Sequence, residues 1–247
     1  MAGHSHWANI ARHKGVQDAK RAKLWSKLAR YIMIAARNGG GDPTMNLRLR
    51  YAIDKARAVS MPKDNIERAI KKGTGELAGE AMEEITYEGY GPGGVAILVE
   101  TLTDKRTRTN GDVRLLFDKH GGNLGTPGCV SYLFERKGLI VIDAKKYPDE
   151  EAVMAAAIEA EADDCQKQGD VYEITCDASK FATVIEAIKA AGFEPEEAEV
   201  KQLPKTTVEV DVETGKKILK LIDALEDNDD VQSVHTNAKI TEEMIQA

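Results

Sequence analysis

Lys20, Lys23, Lys27, Arg30 and Arg37 are spaced by three, four and seven residues. At about 100° per residue that spacing gathers them on one side of a helix. A row of cations without interleaved acid suits pairing with the phosphates of a nucleic-acid chain. Ahead of the row runs "HSHWANIARHKG", where Trp7 stands among Arg12, Lys14 and three histidines. A cationic arm carrying one aromatic can contact phosphates and stack a base; the same Trp7 could equally anchor the arm onto folded protein. Most basic stripes are only the wet side of a helix. Ordinary wet sides, however, mix both signs to gain i,i+4 pairs, and this one does not. The reading therefore has a sharp condition: the row must face solvent, and carboxylates from the rest of the chain closing on it would remove it.

No other constellation carries chemistry as well. "GYGPGG" and "HGGNLGTPG" lack the GK[ST] of a phosphate loop and the GxGxxG of a dinucleotide site, so their glycines are read as turn formers. The sequence holds no HExxH, GxSxG or DxDxDG pattern. His4 and His6 could touch a metal but sit in a cationic tail, and His120 ends a helix, where imidazolium is favourable. Cys129, Cys165 and Cys176 form no CxxC pair, which suits a reducing cytoplasm. "EEAVMAAAIEAEADD" and "EPEEAEV" read as solvated acidic faces rather than paired catalytic carboxylates. No catalytic, cofactor-binding or metal-binding residue is assigned, and a non-enzymatic protein is expected.

The charge is polarised along the chain. Residues 1–75 hold 16 Lys and Arg against five Asp and Glu, a net of +11, while the remainder carries −18 to give the overall −7. Such asymmetry points one end at a polyanion and leaves the other to keep the molecule soluble. No apolar run approaches the roughly 18 residues needed to cross a bilayer, so no membrane partner is expected. No heptad or zipper declares a dimer, and a monomer is expected.

The elements that must position these residues follow from periodicity. From Gln17 to Asn38, Trp25, Leu28, Ala29, Ile32 and Ala36 gather opposite the cations. Asp42 and Pro43 predict the start of a second helix over 43–59 with Leu49, Ile53 and Ala56 inward. "SMPKDNIERAIKKG" predicts a third, stopped at Gly73. Three short amphipathic helices should bundle to cover one another's apolar stripes. After a joint near 73–82, "EEITYEGY" and "GVAILVETLT" form a hairpin around "GPGG". A helix near 108–119, buried through Val113, Leu116 and Phe117, precedes a strand at "CVSYLF". "GLIVID", a helix over 149–162, "VYEITCD", a helix over 179–191 and "AEVKQL" make a further series, and the tail reads strand, helix, strand. The fold class is α+β. A basic arm and three-helix bundle (1–79) precede two ferredoxin-like-type α/β domains, one split (80–136 plus 204–247) and one inserted in it (137–203).

"MAGHSHWANI", "GGGDP", "MPKDNIERAIKKG", "YEGYGPGGVA", "KHGGNLG" and "VSYLF", in that order, resemble the YebC/PmpR family of probable transcriptional regulatory proteins, whose mitochondrial relative is a translational activator of cytochrome oxidase. The resemblance runs from Met1 to the C-terminus. It implies a cytoplasmic, non-enzymatic protein of three domains without a cofactor or a small-molecule substrate. It also implies one of two partners, because members are described both as DNA-binding regulators and as ribosome-associated factors that help translation of difficult stretches such as proline runs. The chain departs from the family at His6, where Lys is usual, and at "TDKRTRT", where Lys105 and Arg106 replace an Asn-rich pattern. DNA contact through Trp7, Arg12, Lys14, Lys20, Lys23, Lys27, Arg30 and Arg37 is the leading expectation. Ribosomal RNA is the alternative, and a protein-interaction scaffold a second one. No Gln-, Asn- or Arg-rich recognition helix is evident, so sequence preference should be modest.

Overall fold

The computed structural model describes residues 21–78 and 82–246. Three helices come first: α1 (Arg21–Gly39), α2 (Leu47–Ala58) and α3 (Lys63–Gly73). Ile32, Leu49, Ala52 and Ala56 are fully buried between them, and the Trp25 indole donates to the Val59 carbonyl at 3.2 Å. Bundle residues alone build this core. Gly73 lets α3 approach α1, since a Cβ there would stand 2.4 Å from the Met33 carbonyl oxygen.

The start of α2 differs from the sequence reading. Asp42 closes a turn onto the Thr44 amide at 2.8 Å, and Asn46 caps the helix instead, accepting from the Leu49 amide at 3.1 Å. The Asn46 amide group also donates to the carbonyls of Ala35 and Gly40, each at 2.8 Å. A carboxylate could cap α2 but could not donate to the end of α1, and this position requires both.

Two antiparallel sheets follow. The first has the order β3–β1–β2–β9, built from β1 (Glu83–Tyr90), β2 (Ala96–Thr103), β3 (Asn123–Leu124) and β9 (Val231–Thr236). Its hairpin β1–β2 is central, and β9 returns from the far side of the second sheet to pair with β2. Helices α4 (Arg106–Lys119) and α7 (Val212–Glu226) cover it, with Val113, Phe117, Ile218 and Leu221 against Val99 and Val231. The second sheet has the order β5–β6–β4–β7: β4 (Phe134–Asp143), β5 (Asp164–Gln168), β6 (Val171–Asp177) and β7 (Glu197–Pro204). Helices α5 (Glu150–Glu159) and α6 (Phe181–Ala190) pack on Ile140, Ile142, Tyr172 and Ile174. A short parallel pair, β8 (Val208–Glu209) with β10 (Ala238–Lys239), and α8 (Glu242–Gln246) complete the chain.

Three sequence expectations need correction. "CVSYLF" is not a strand: Ser131–Leu133 form a 3₁₀ turn, and β4 begins at Phe134. Glu88 sets that turn, accepting from the amides of Gly128, Val130 and Ser131 at 2.7, 2.8 and 2.7 Å. Burial alone would raise the Glu88 carboxyl, but these donors outweigh it and hold the carboxyl below its ordinary range. Strand β5 escapes a periodicity search because "DCQKQ" lies at a sheet edge with mostly exposed side chains and has no apolar alternation. The tail strand at "TTVEVDV" contracts to Val208–Glu209.

Candidate nucleic-acid interface

Trp7, Arg12, Lys14 and Lys20 lie outside the described residues. The other expected contacts sit on α1, where Lys23, Lys27 and Arg30 are partly covered and Arg37 is exposed. Lys23, Lys27 and Arg30 point at the turn that ends α7 and leads into β9. The Lys23 ammonium donates to the Asp227 carbonyl, with the carboxylates of Asp227 and Asp229 at 3.7 and 3.8 Å. Lys27 donates to the Glu226 carbonyl at 2.6 Å. Arg30 donates to the Asp229 carbonyl at 2.5 Å and to the Asp230 carboxylate at 2.9 Å. Further along, Arg37 donates to the Met82 carbonyl at 2.8 Å. The expectation of a solvent-facing row is therefore corrected for Lys23, Lys27 and Arg30, which take oxygens of the chain's own turn, whereas Arg37 stays exposed beside its one carbonyl.

The physical reason lies in how α7 ends. The last turn of a helix leaves carbonyls without partners and carries the negative end of the dipole. Here Glu226, Asp227, Asp229 and Asp230 add carboxylates where cations are favoured. α1 supplies those cations at successive turns. Ile34, only 4% exposed, completes the seam, since it lies on the same side of α1 as Lys23, Lys27 and Arg30. An isoleucine inside a supposedly wet stripe was the one signal in the sequence that this side is covered.

Asp230 is the hub. It is 3% exposed and accepts from Arg30, from Arg108 at 2.7 Å, from Thr109 at 2.7 Å and from Thr103 at 3.2 Å. Burial would raise its carboxyl, but Arg108, Thr109 and Arg30 outweigh that and hold it below the ordinary range. Arg108 also reaches Asp104 at 2.7 Å. Beside the hub opens a cleft of about 410 Å³, lined by Arg30, Asp104, Arg108, Asp112, Asn228, Asp229 and Asp230. Lys27 fares worse. Burial, with Lys23 adding to it, outweighs Glu226, Asp229 and Asp227 and pushes the ammonium down to about 8.

Helix α2 makes similar contacts elsewhere. Arg48 pairs with Glu84 at 2.7 Å, Arg50 with Glu186 at 3.2 Å, and Lys55 with Glu199. Tyr51 lies against Phe181 with ring centroids 5.4 Å apart. The basic bundle is thus mounted on both acidic sheets by long cationic side chains.

A cationic face of the bundle stays open. Arg68, Lys71 and Lys72 share a side of α3, all three are exposed, and none has an ion pair among the described residues. The loop from Gly39 to Met45 lies next to the end of this helix, a Cβ at Gly41 meeting the Thr74 methyl at 2.8 Å. Gly40 adopts φ +87° with nothing within 4 Å of where a Cβ would stand, and Met45 is 84% exposed. Bare backbone beside a cationic face admits a bulky polyanion. Sequence reasoning passed over this face because Asp64 and Glu67 stand one turn before Arg68 and Lys71; Glu67 turns instead to Lys63, at 3.5 Å.

Other groups of reactive residues are tied down. Ser233 donates to Glu100 at 2.6 Å, and His235 Nε2 lies 3.2 Å from both the same carboxylate oxygen and the Ser233 hydroxyl. With its proton on Glu100, Ser233 is no activated nucleophile. Burial pushes the Cys165 and Cys176 thiols up to about 11, away from thiolate chemistry. Among the described residues no group of three or more His, Cys, Asp or Glu could hold a metal ion, and no helix is long and apolar enough to cross a membrane.

Comparison with known proteins gives these features a lineage. A family model for the TACO1/YebC protein N-terminal domain matches residues 5–76, and one for the TACO1/YebC second and third domain matches residues 82–238. A "probable transcriptional regulatory protein" of Persephonella marina is 54% identical over 248 residues, spanning 100% of this chain and 99% of the relative. One of Treponema pallidum (strain Nichols) is 53% identical over 245 residues, spanning 99% and 100%. The crystal structure of a conserved hypothetical protein from Aquifex aeolicus aligns with a TM-score of 0.83 at 50% identity, covering 91% of this chain and 93% of that one. Matched in both its helical and its sheet-bearing parts, and by relatives of its own length, the chain belongs to the TACO1/YebC family.

Proposed function

We propose that the protein is a non-enzymatic, cytoplasmic regulator of gene expression that binds nucleic acid through its basic N-terminal domain. The relatives' description as probable transcriptional regulatory proteins supports the regulatory role. The observation that carries the binding surface is the exposed cationic face of α3, Arg68, Lys71 and Lys72, without an ion pair among the described residues and beside the bare loop at Gly40. Trp7, Arg12, Lys14 and Lys20, outside the described residues, join the proposed contacts on their residue types alone. Promoter DNA is the first reading, as the target a transcriptional regulator would take. Structured RNA, as on a ribosome, is the second reading, and the docking of α1 favours it: Lys23, Lys27 and Arg30 are turned onto the chain's own turn, leaving no long cationic helix side to lie along a DNA groove.

The three units then divide the work at boundaries near 79, 136 and 204. The order β5–β6–β4–β7, with a helix after β4 and another after β6, supports a ferredoxin-like reading of the inserted unit. The central hairpin of the split unit argues against the same topology there.

Fluorescence anisotropy against salt tests the proposal with labelled promoter DNA and ribosomal RNA fragments. The Arg68→Glu, Lys71→Glu, Lys72→Glu variant should weaken binding. It should also flatten the dependence of log K on log[salt] by up to about 2–3, at roughly 0.7–0.9 per lost phosphate contact. A protein-interaction scaffold predicts no saturable binding to either probe, and that result would overturn the proposal.

A further inference from the structure

We propose that Lys23, Lys27 and Arg30 form a second phosphate-binding row whose resident occupant is the chain's own acidic turn, residues 226–230, and that a bound nucleic acid displaces it. The inference rests on the nucleic-acid reading above and deepens it.

The occupant has the right chemistry to be a stand-in. Each cation of the row takes anionic or carbonyl oxygens from successive residues of the turn: Lys27 from Glu226, Lys23 from Asp227 and Asp229, Arg30 from Asp229 and Asp230. A phosphodiester strand presents the same pattern, one anionic group after another along an extended line. The turn is also built against local preference. Carboxylates at a helix C-terminus are unfavourable, and a run of them is tolerated only while cations cover it. A local rule broken where two elements meet marks a site kept for more than packing.

The closed contact is releasable. The bundle keeps its own core, so parting α1 from the turn leaves that core intact and uncovers only the seam itself, Ile34 and the Arg30 side of Asp230. Arg50–Glu186 and the Tyr51–Phe181 contact reach helix α6 of the other unit and remain as a tether. Within the contact Lys27 is poorly compensated, burial outweighing its carboxylate neighbours. A longer and denser line of anions would satisfy it better than the turn does.

A thermodynamic cycle on the full chain tests this, read by anisotropy of a labelled RNA hairpin and, in a parallel arm, of a labelled DNA duplex. Asp227 and Asp229 have half-exposed to exposed side chains, so Asp227→Asn with Asp229→Asn removes charge without touching a core. That variant should bind about tenfold tighter, because the competitor for the row is weakened. Lys23→Gln should change wild-type affinity little, since Lys23 is already occupied, and should cancel the gain in the Asn background. Such non-additivity is the signature of a shared site. If Lys23→Gln lowers affinity by the same factor in both backgrounds, the Asp residues act only as long-range repulsion and the inference fails while the nucleic-acid reading stands. If no variant binds either probe, the nucleic-acid reading itself fails and takes the inference with it. Melting curves for each variant confirm the fold, and Lys23→Arg in the Asn background should retain the gain.

Discussion

Asp230→Asn perturbs the hub at almost constant volume. The wild-type carboxylate, 3% exposed, accepts from two guanidinium groups and two hydroxyls. Breaking a buried charged pair costs about 3–5 kcal/mol when the remaining partner is stranded. Here neither arginine is fully stranded. Arg108 keeps Asp104 at 2.7 Å and is 43% exposed, and Arg30 keeps the Asp229 carbonyl, so water and the surviving contacts screen part of the loss. An expected cost of about 2–3 kcal/mol follows. Urea unfolding at pH 7, followed by far-ultraviolet circular dichroism and by tryptophan fluorescence, reads it as a fall in midpoint at unchanged m. The pH dependence has a definite sign. The folded carboxyl is held below its ordinary value, so its contribution is complete above the unfolded pKa, near ~3.9, and fades as pH falls through the folded value. The gap between wild type and variant should therefore be constant from neutral pH to about 5 and close on further acidification. A variant within about 0.5 kcal/mol of wild type at pH 7, or a gap that widens with acid, would refute the hub as described.

Two further perturbations probe elements that position the surfaces. Glu88→Ala strands three amides of the 128–131 turn and should cost about 2–4 kcal/mol; hydrogen exchange should quicken at Gly128, Val130 and Ser131, and unchanged protection there would sink the assignment. Gly73→Ala sets two effects against each other, a helix preference for alanine of about 1 kcal/mol and overpacking of about 1–3 kcal/mol from a Cβ placed 2.4 Å from the Met33 carbonyl. Packing should win, lowering the melting temperature; a rise would mean that the close approach of α3 to α1 is not tight.

The bundle was legible residue by residue. Trp25, Leu28, Ile32, Leu49, Ile53 and Ala56 all lie in its core or against it, because helical periodicity reports a face directly. Val113 and Phe117 were placed on the buried side of α4 for the same reason. Strand β5 and the 3₁₀ turn at Ser131 were not legible. The first is an edge strand whose pattern carries no apolar alternation, and the second is imposed by Glu88, more than 40 residues away along the chain for Val130 and Ser131. The α3 face was readable in principle, since Arg68, Lys71 and Lys72 fall at i, i+3 and i+4.

By itself the sequence determined the helices α1 to α7, their apolar faces, the charge polarity between front and rear, and that α1 would carry cations opposite its core. Only the tertiary structure decided which of those cations meet water. A helical period says that two stripes lie on opposite sides of a cylinder, but nothing in it says what stands against the second. The partners of Lys23, Lys27 and Arg30 lie 199 to 204 residues away, beyond two sheets. A Coulomb attraction is blind to sequence distance and acts only once folding has brought the charges together.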